Sequence, residues 1–127
     1  MNLRFHFKNT TEALKEDLKL YAEKRFEHLE RFLSSYQEDN KILTIDIEHH
    51  ERHESYEVKS TLQIGGKVLH HTEMTHVPKE AIDKAEANLI RQAKKHIEHI
   101  REKGIPLEKV NKELPEEEAP PMSYDNI

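Results

Sequence analysis

The chain has 127 residues, of which 35% are charged and 35% hydrophobic, and its formal net charge is −5. It contains no cysteine, which excludes a disulfide framework and thiolate chemistry and fits a reducing cytoplasm. The N-terminal segment has no long apolar run, so it predicts neither a signal peptide nor a membrane span.

The first predicted elements are a strand and a helix. Leu3, Phe5 and Phe7 alternate with polar residues, which indicates a strand with one buried face. A side-chain oxygen of Asn9, Thr10 or Thr11 then caps a helix that ends near Ser34. The apolar residues of this helix recur at steps of three and four: Leu14, Leu18, Tyr21, Ala22, Phe26, Leu29 and Leu33.

Three further strands and a second helix follow. The segments ILTIDIEHH, YEVKSTLQI and KVLHHTEMTH alternate or are rich in β-branched residues, and Gly65-Gly66 fits a tight hairpin between the last two. The second helix begins at Pro78 and ends at Gly104, which favour the first turn and the end of a helix. Its predicted buried residues are Ile82, Ala85, Leu89, Ala93, Ile97 and Ile100.

The order β-α-β-β-β-α predicts an α+β fold in which two helices pack on one face of a four-stranded sheet. We expect residues 1–104 to form this domain and residues 105–127, which hold four of the five prolines, to be a flexible, disordered tail. Two lysines and six acidic residues give the tail a balance of −4, which leaves the rest of the chain at −1. On such a nearly neutral domain, local charged patches decide what binds.

The clearest patch lies in the second helix, where NLIRQAKKHI holds three permanent cations and no acid. At about 100° per residue, the cations of this helix point away from its buried stripe. Cations also gather in the C-terminal half of the first helix, and side-by-side helices would let both sets rim a groove that binds phosphates. The eight candidate RNA-binding residues are Lys24, Arg25, His28, Arg31, Lys84, Arg91, Lys94 and Lys95. The alternative is a solvated surface whose cations pair with helix carboxylates, Asp83 and Glu86 among them.

Other kinds of site find less support. The ten histidines fall in groups, such as His49, His50 and His53, but no spacing supplies a matched set of converging ligands, so we predict no metal site and no cofactor. There is no Gly-rich phosphate loop and no nucleophile elbow, so we predict no catalytic residue and no enzyme. Asp46 and Glu48 share the polar side of one strand, as exposed strand carboxylates commonly do.

Three segments resemble the ribosome hibernation-promoting factors, also called ribosome-associated inhibitors or ribosomal subunit interface proteins. They are YAEKRFEHLERF, LQIGGKVLH and EAIDKAEANLIRQAKKH, and the last is the most specific. The resemblance covers about residues 1–103 and implies the same β-α-β-β-β-α fold. The tail is too short for the second, dimerising domain of long members, so the chain resembles a short member.

The resemblance also implies a function. Family members bind in the mRNA and tRNA channel of the small ribosomal subunit and silence translation under stress, without catalysis. By position, rRNA contacts go to Lys24, Arg25, Arg31, Arg91, Lys94 and Lys95, with His28 and Lys84 lying among them. We therefore expect a cytoplasmic protein that is monomeric off the ribosome and has no membrane partner. Two alternatives remain: a module that binds an acidic partner protein, and a stress protein that binds metal through its histidines.

Overall fold

The computed structural model describes residues 1–104, and the predicted tail, residues 105–127, lies outside them. The predicted order of strands and helices is confirmed, with the first helix divided in two. The elements are β1 (Asn2–Lys8), α1 (Glu12–Arg25), α2 (Glu27–Phe32), β2 (Lys41–His50), β3 (Ser55–Ile64), β4 (Lys67–Thr75) and α3 (Pro78–Glu102), with 3₁₀ turns at Glu38–Asn40 and Glu51–His53.

The four strands form one sheet in the order β1-β2-β3-β4. β1 pairs parallel with β2, and the other neighbouring strands are antiparallel. Leu43, Ile45 and Ile47 of β2 are buried, as are Val58, Ser60, Leu62 and Ile64 of β3, so the predicted period of two is confirmed. Within residues 1–104, the helices pack on this apolar face, and no helix covers the other face of the sheet, which we call the open face.

The first helix differs from the prediction in one respect. Thr11 caps α1 by accepting a hydrogen bond from the backbone N–H of Leu14 at 3.3 Å. The helix is interrupted at Phe26, whose ψ is near 0°, and continues as α2. The side chain of Phe26 is fully buried, as are Leu29 and Leu33. The predicted apolar stripe therefore continues through the interruption from α1 into α2 and the residue that follows it.

α3 lies over β3 and β4, and all six of its predicted stripe residues are buried. Pro78 occupies the first turn, and Gly104 follows the helix with a φ of +71°, a conformation that favours glycine. The side chain of Gln92 donates a hydrogen bond to the backbone carbonyl of His70 at 2.8 Å, which holds α3 to the edge strand β4. No helix in residues 1–104 combines the length and the apolar character needed to cross a bilayer.

α1 and α3 run side by side in the same direction. Lys79 Nζ lies 3.2 Å from Asp17 Oδ2, and one turn further along both helices Tyr21 contacts Asp83. His28 of α2 then reaches Glu86 of α3. Because residue numbers rise together in these pairs, the two helices are parallel, and α1 ends beside the second turn of α3.

Candidate nucleic-acid interface

A groove with a volume of about 580 Å³ lies between α1–α2 and α3. We call it the interhelical groove. Four of the eight predicted RNA-binding residues line it, all from the first helical segment. Its lining residues are Tyr21, Lys24, Arg25, Glu27, His28, Arg31 and Glu86.

Two carboxylates of α3 neutralise part of the positive charge in this groove. Arg25 Nε lies 3.2 Å from Asp83 Oδ1 and 3.6 Å from Glu86 Oε1. His28 Nδ1 lies 3.6 Å from Glu86 Oε2 and forms an ion pair when it is protonated. Glu86 is only 5% exposed, so its charge depends on these partners rather than on water. Arg25 is therefore a compensated cation, held by two carboxylates.

Tyr21 completes this network at the start of the groove. Its hydroxyl donates a 2.6 Å hydrogen bond to Asp83 Oδ1. This hydrogen bond raises the pKa of Tyr21, and partial burial adds to the shift. Lys79 Nζ lies 5.2 Å from the centre of the Tyr21 ring. The hydroxyl and Arg25 therefore share one carboxylate oxygen, which fixes the orientation of Asp83.

The cations of α3 are differently placed and do not line the groove. Lys84, Arg91 and Lys95 lie within about 40° of one another on the outer side of α3, at 100° per residue. Lys94 lies about 60° from Arg91, toward α1. Lys84, Arg91 and Lys94 are exposed and Lys95 is half-buried. We call these four residues the α3 cations.

The predicted set thus divides by its carboxylate neighbours. In residues 1–104, no ion pair within 4.0 Å is formed by the α3 cations, nor by Lys24 or Arg31 of the groove. Arg25 and His28 alone in the set have carboxylate partners there. Six exposed or half-buried cations are therefore available for an external anion.

Sequence reasoning missed the role of Glu86. It was considered a surface ion-pairing residue, but it lies inside the buried stripe of α3, four residues after Ile82 and three before Leu89. A carboxylate at such a position needs a partner from a neighbouring element, and this spacing is the signal that could have identified it. The alternative interpretation, in which the helix cations pair with helix carboxylates, is thus correct for Arg25. Its carboxylate partners lie on a different helix.

Comparisons with known proteins bear on this arrangement. The family described as Sigma 54 modulation protein / S30EA ribosomal protein matches residues 3–101. The N-terminal domain of Protein Y from Thermus thermophilus is similar in structure, with a TM-score of 0.57 and 21% identity over 75% of this chain and 98% of that chain. A ribosomal subunit interface protein from Coxiella burnetii has a TM-score of 0.53 and 16% identity over 75% of this chain and 96% of that chain.

At these identities the two structures show a shared fold, and no curated protein matches the chain at a significant level. The family match, by contrast, spans nearly all of the described residues. It confirms the resemblance carried by the three sequence motifs: the chain belongs to the Sigma 54 modulation protein / S30EA ribosomal protein family.

Proposed function

We propose that the chain binds the small ribosomal subunit in the channel used by mRNA and tRNA, and that it silences translation there under stress. Membership of a ribosomal protein family supports ribosome association. The protein acts by occupying the channel rather than by catalysis. It works in the cytoplasm, where ribosomes translate, and is a monomer before it binds.

The observation that carries this proposal is the set of six cations that lack a carboxylate within 4.0 Å in residues 1–104. A cation already paired with a carboxylate gains little from a phosphate, because one anion only replaces another. Lys24, Arg31 and the α3 cations have no such partner to give up. Each can therefore neutralise a phosphate and release condensed counterions, which is the main source of affinity for a nucleic-acid backbone.

Arg25 and His28 have a different part in the proposed complex. Asp83 and Glu86 already compensate them, so they add little net positive charge to the groove. The carboxylates contact Arg25 through Nε, and they hold its guanidinium in one orientation. A held guanidinium offers directional hydrogen bonds to a base edge or a phosphate rather than a diffuse attraction.

Cosedimentation of the purified full chain with ribosomal subunits tests the proposal. We expect binding to the small subunit at 50 mM salt and a loss of affinity of about a thousandfold at 200 mM, as six phosphate contacts require. Prebound mRNA and tRNA should compete with the protein if the channel is the binding site. Binding to the large subunit alone, or binding that salt does not weaken, would contradict the proposal. Capture of an acidic protein that survives RNase treatment would instead favour the protein-interaction module.

A further inference from the structure

The open face of the sheet, opposite the helices, carries a pair of like charges in direct register. Glu48 of β2 is the cross-strand partner of Glu57 of β3. Their side chains are 32% and 18% exposed, so water screens them only in part. Like charges directly opposite each other on neighbouring strands destabilise a sheet. A cation between the two carboxylates would remove this cost.

His50 lies beside Glu48 on the open face, because residues two apart on a strand share a face. Its Nε2 is 2.9 Å from Glu57 Oε1 and 4.0 Å from Glu48 Oε1. One ligand atom from each of the three residues lies within 4.8 Å of the others. Tetrahedral ligands at bonds of about 2.1 Å are separated by about 3.4 Å, which falls between the two measured distances. Small side-chain rotations would therefore bring all three atoms to a common metal ion.

We propose that Glu48, His50 and Glu57 form a binding site for a divalent transition-metal cation of the Zn²⁺ class. An imidazole nitrogen favours such a cation over Mg²⁺ or Ca²⁺, which prefer ligand sets made only of oxygen. The two carboxylates carry a charge of −2 and the neutral imidazole carries none, so a divalent cation neutralises the ligand set. Water supplies the remaining coordination positions.

The surroundings of the cluster leave room for those waters. A shallow pocket of about 280 Å³ borders Glu48 and His50 and is also lined by Asn9, Glu51 and His53. The ends of β2 and β3 that flank the turn Glu51–His53 are held together by stacking of His49 on Tyr56, with ring centres 4.4 Å apart. The ligands therefore lie on a paired and braced part of two strands rather than on a loose loop.

Two lysines oppose the metal and limit its affinity. Lys8 Nζ lies 3.9 Å from Glu48 Oε2, and Lys59 Nζ lies 3.9 Å from Glu57 Oε2. Both contacts use the second oxygen of each carboxylate, while the oxygens nearest His50 are the Oε1 atoms. The lysines thus need not be displaced when the metal ion binds, but their positive charge lowers its affinity.

Calorimetric titration of the full chain with Zn²⁺ tests the site. Because the chain has ten histidines, the comparison is between His50→Gln and the matched control His70→Gln. His70 is exposed on the same face of the sheet and contacts Thr61 rather than a carboxylate. We expect His50→Gln to remove one equivalent of binding or weaken it by at least about tenfold, and His70→Gln to behave as the parent. Zn²⁺ should raise the Tm of the parent and of His70→Gln, and Mg²⁺ should not.

Glu57→Gln provides a second variant that keeps the size of the side chain and removes its charge. It should lose the same equivalent as His50→Gln, with far-UV circular dichroism showing that it is folded. If Zn²⁺ binds His50→Gln as well as it binds His70→Gln, or does not bind the parent saturably, the metal site is refuted. The titration contains no ribosome, so its outcome is independent of the proposed function.

Discussion

Four of the predicted RNA-binding residues line the interhelical groove and the other four are the α3 cations. The two sets differ in how far neighbouring carboxylates compensate their charge. In the groove, Arg25 lies within 3.6 Å of two carboxylates. The α3 cations have no carboxylate within 4.0 Å in residues 1–104. The carboxylates that compensate Arg25 come from the other helix. Counting charges along one helix therefore does not show which cations can bind phosphate, since tertiary neighbours decide it.

The largest effect should come from reversing two α3 cations, Arg91→Glu with Lys95→Glu. We expect ribosome binding at low salt to fall by about a hundredfold or more, because each charge-assisted contact contributes about 1.5–3 kcal/mol. The free energy of unfolding should change little, since both side chains lie off the buried stripe. Cosedimentation and urea unfolding measure the two quantities.

The matched control is Arg4→Glu with Arg52→Glu, which reverses two exposed cations away from the helices. It produces the same change in net charge, so it separates a local contact from a general electrostatic attraction. Equal losses of binding in the two double variants would show that the α3 cations are no more than part of a diffuse field.

A smaller effect on binding, but a clear effect on stability, should follow Arg25→Met. Loss of this cation leaves the buried carboxylate of Glu86 poorly compensated, which should lower the free energy of unfolding by about 1–3 kcal/mol. Ribosome binding should fall by a smaller factor than it does for Arg31→Met, because the compensated Arg25 adds little net positive charge to the groove. Adding Glu86→Gln should restore part of the lost stability, and this double-mutant cycle measures the coupling.

Arg31→Met is the control for Arg25→Met within the same groove. Arg31 has no carboxylate within 4.0 Å in the described residues, so its loss should cost at most about 0.5 kcal/mol of stability. It should weaken binding more than Arg25→Met does. The reverse order of the two variants would overturn the distinction between compensated and available cations.

Tyr21→Phe tests the network that holds the groove carboxylates. Removing the hydroxyl deletes its hydrogen bond to Asp83 and should cost about 1 kcal/mol. The hydrogen bond to Asp83 raises the pKa of Tyr21, so the folded state favours the neutral phenol. Its stabilising effect is complete below the unfolded pKa and is lost as pH rises through the folded pKa. Unfolding between pH 9 and 11 should show a shallower alkaline decline in Tyr21→Phe than in the parent.

The smallest effect is expected for Tyr36→Phe, which changes neither cationic region. The Tyr36 hydroxyl is buried without a hydrogen-bond partner in residues 1–104, so its removal should alter stability by no more than about 0.5 kcal/mol at neutral pH. Burial raises the pKa of Tyr36 to about 12, so the parent should lose stability as pH rises from 10 toward 12. Ribosome binding should be unchanged, and a loss would indicate that binding follows stability rather than charge.

Much of the fold was predictable because hydrophobic periodicity reports which side faces the core. The stripes ending at Leu33 and Ile100 and the alternation around Ile45 lie where the sequence indicated. The interruption at Phe26 was not predictable, because no Gly or Pro marks it and the residue itself is apolar.

The candidate site was predictable to a lesser extent. Helical geometry correctly indicated that the α3 cations lie off the buried stripe. It could not pair Arg25 with Asp83 and Glu86, because that requires the relative shift of two helices distant in sequence. The cluster around His50 likewise depends on the register that places Glu48 opposite Glu57. The grouping of histidines along the sequence did not indicate this cluster, because it combines one histidine with two glutamates from different strands.

The parallel course of α1 and α3 has a consequence for the electrostatics of the helix ends. Their first turns carry Glu12 and Glu80, and their last turns carry Lys24 and Arg25, and His99 and Arg101. In each helix these side chains oppose the peptide macrodipole and so stabilise the helix. Antiparallel neighbours partly cancel each other's macrodipoles, whereas parallel neighbours do not, so compensation in this fold depends on charged side chains at the helix ends. Arg25 acts on both helices, because it lies in the last turn of α1 and also contacts Asp83 and Glu86 near the start of α3.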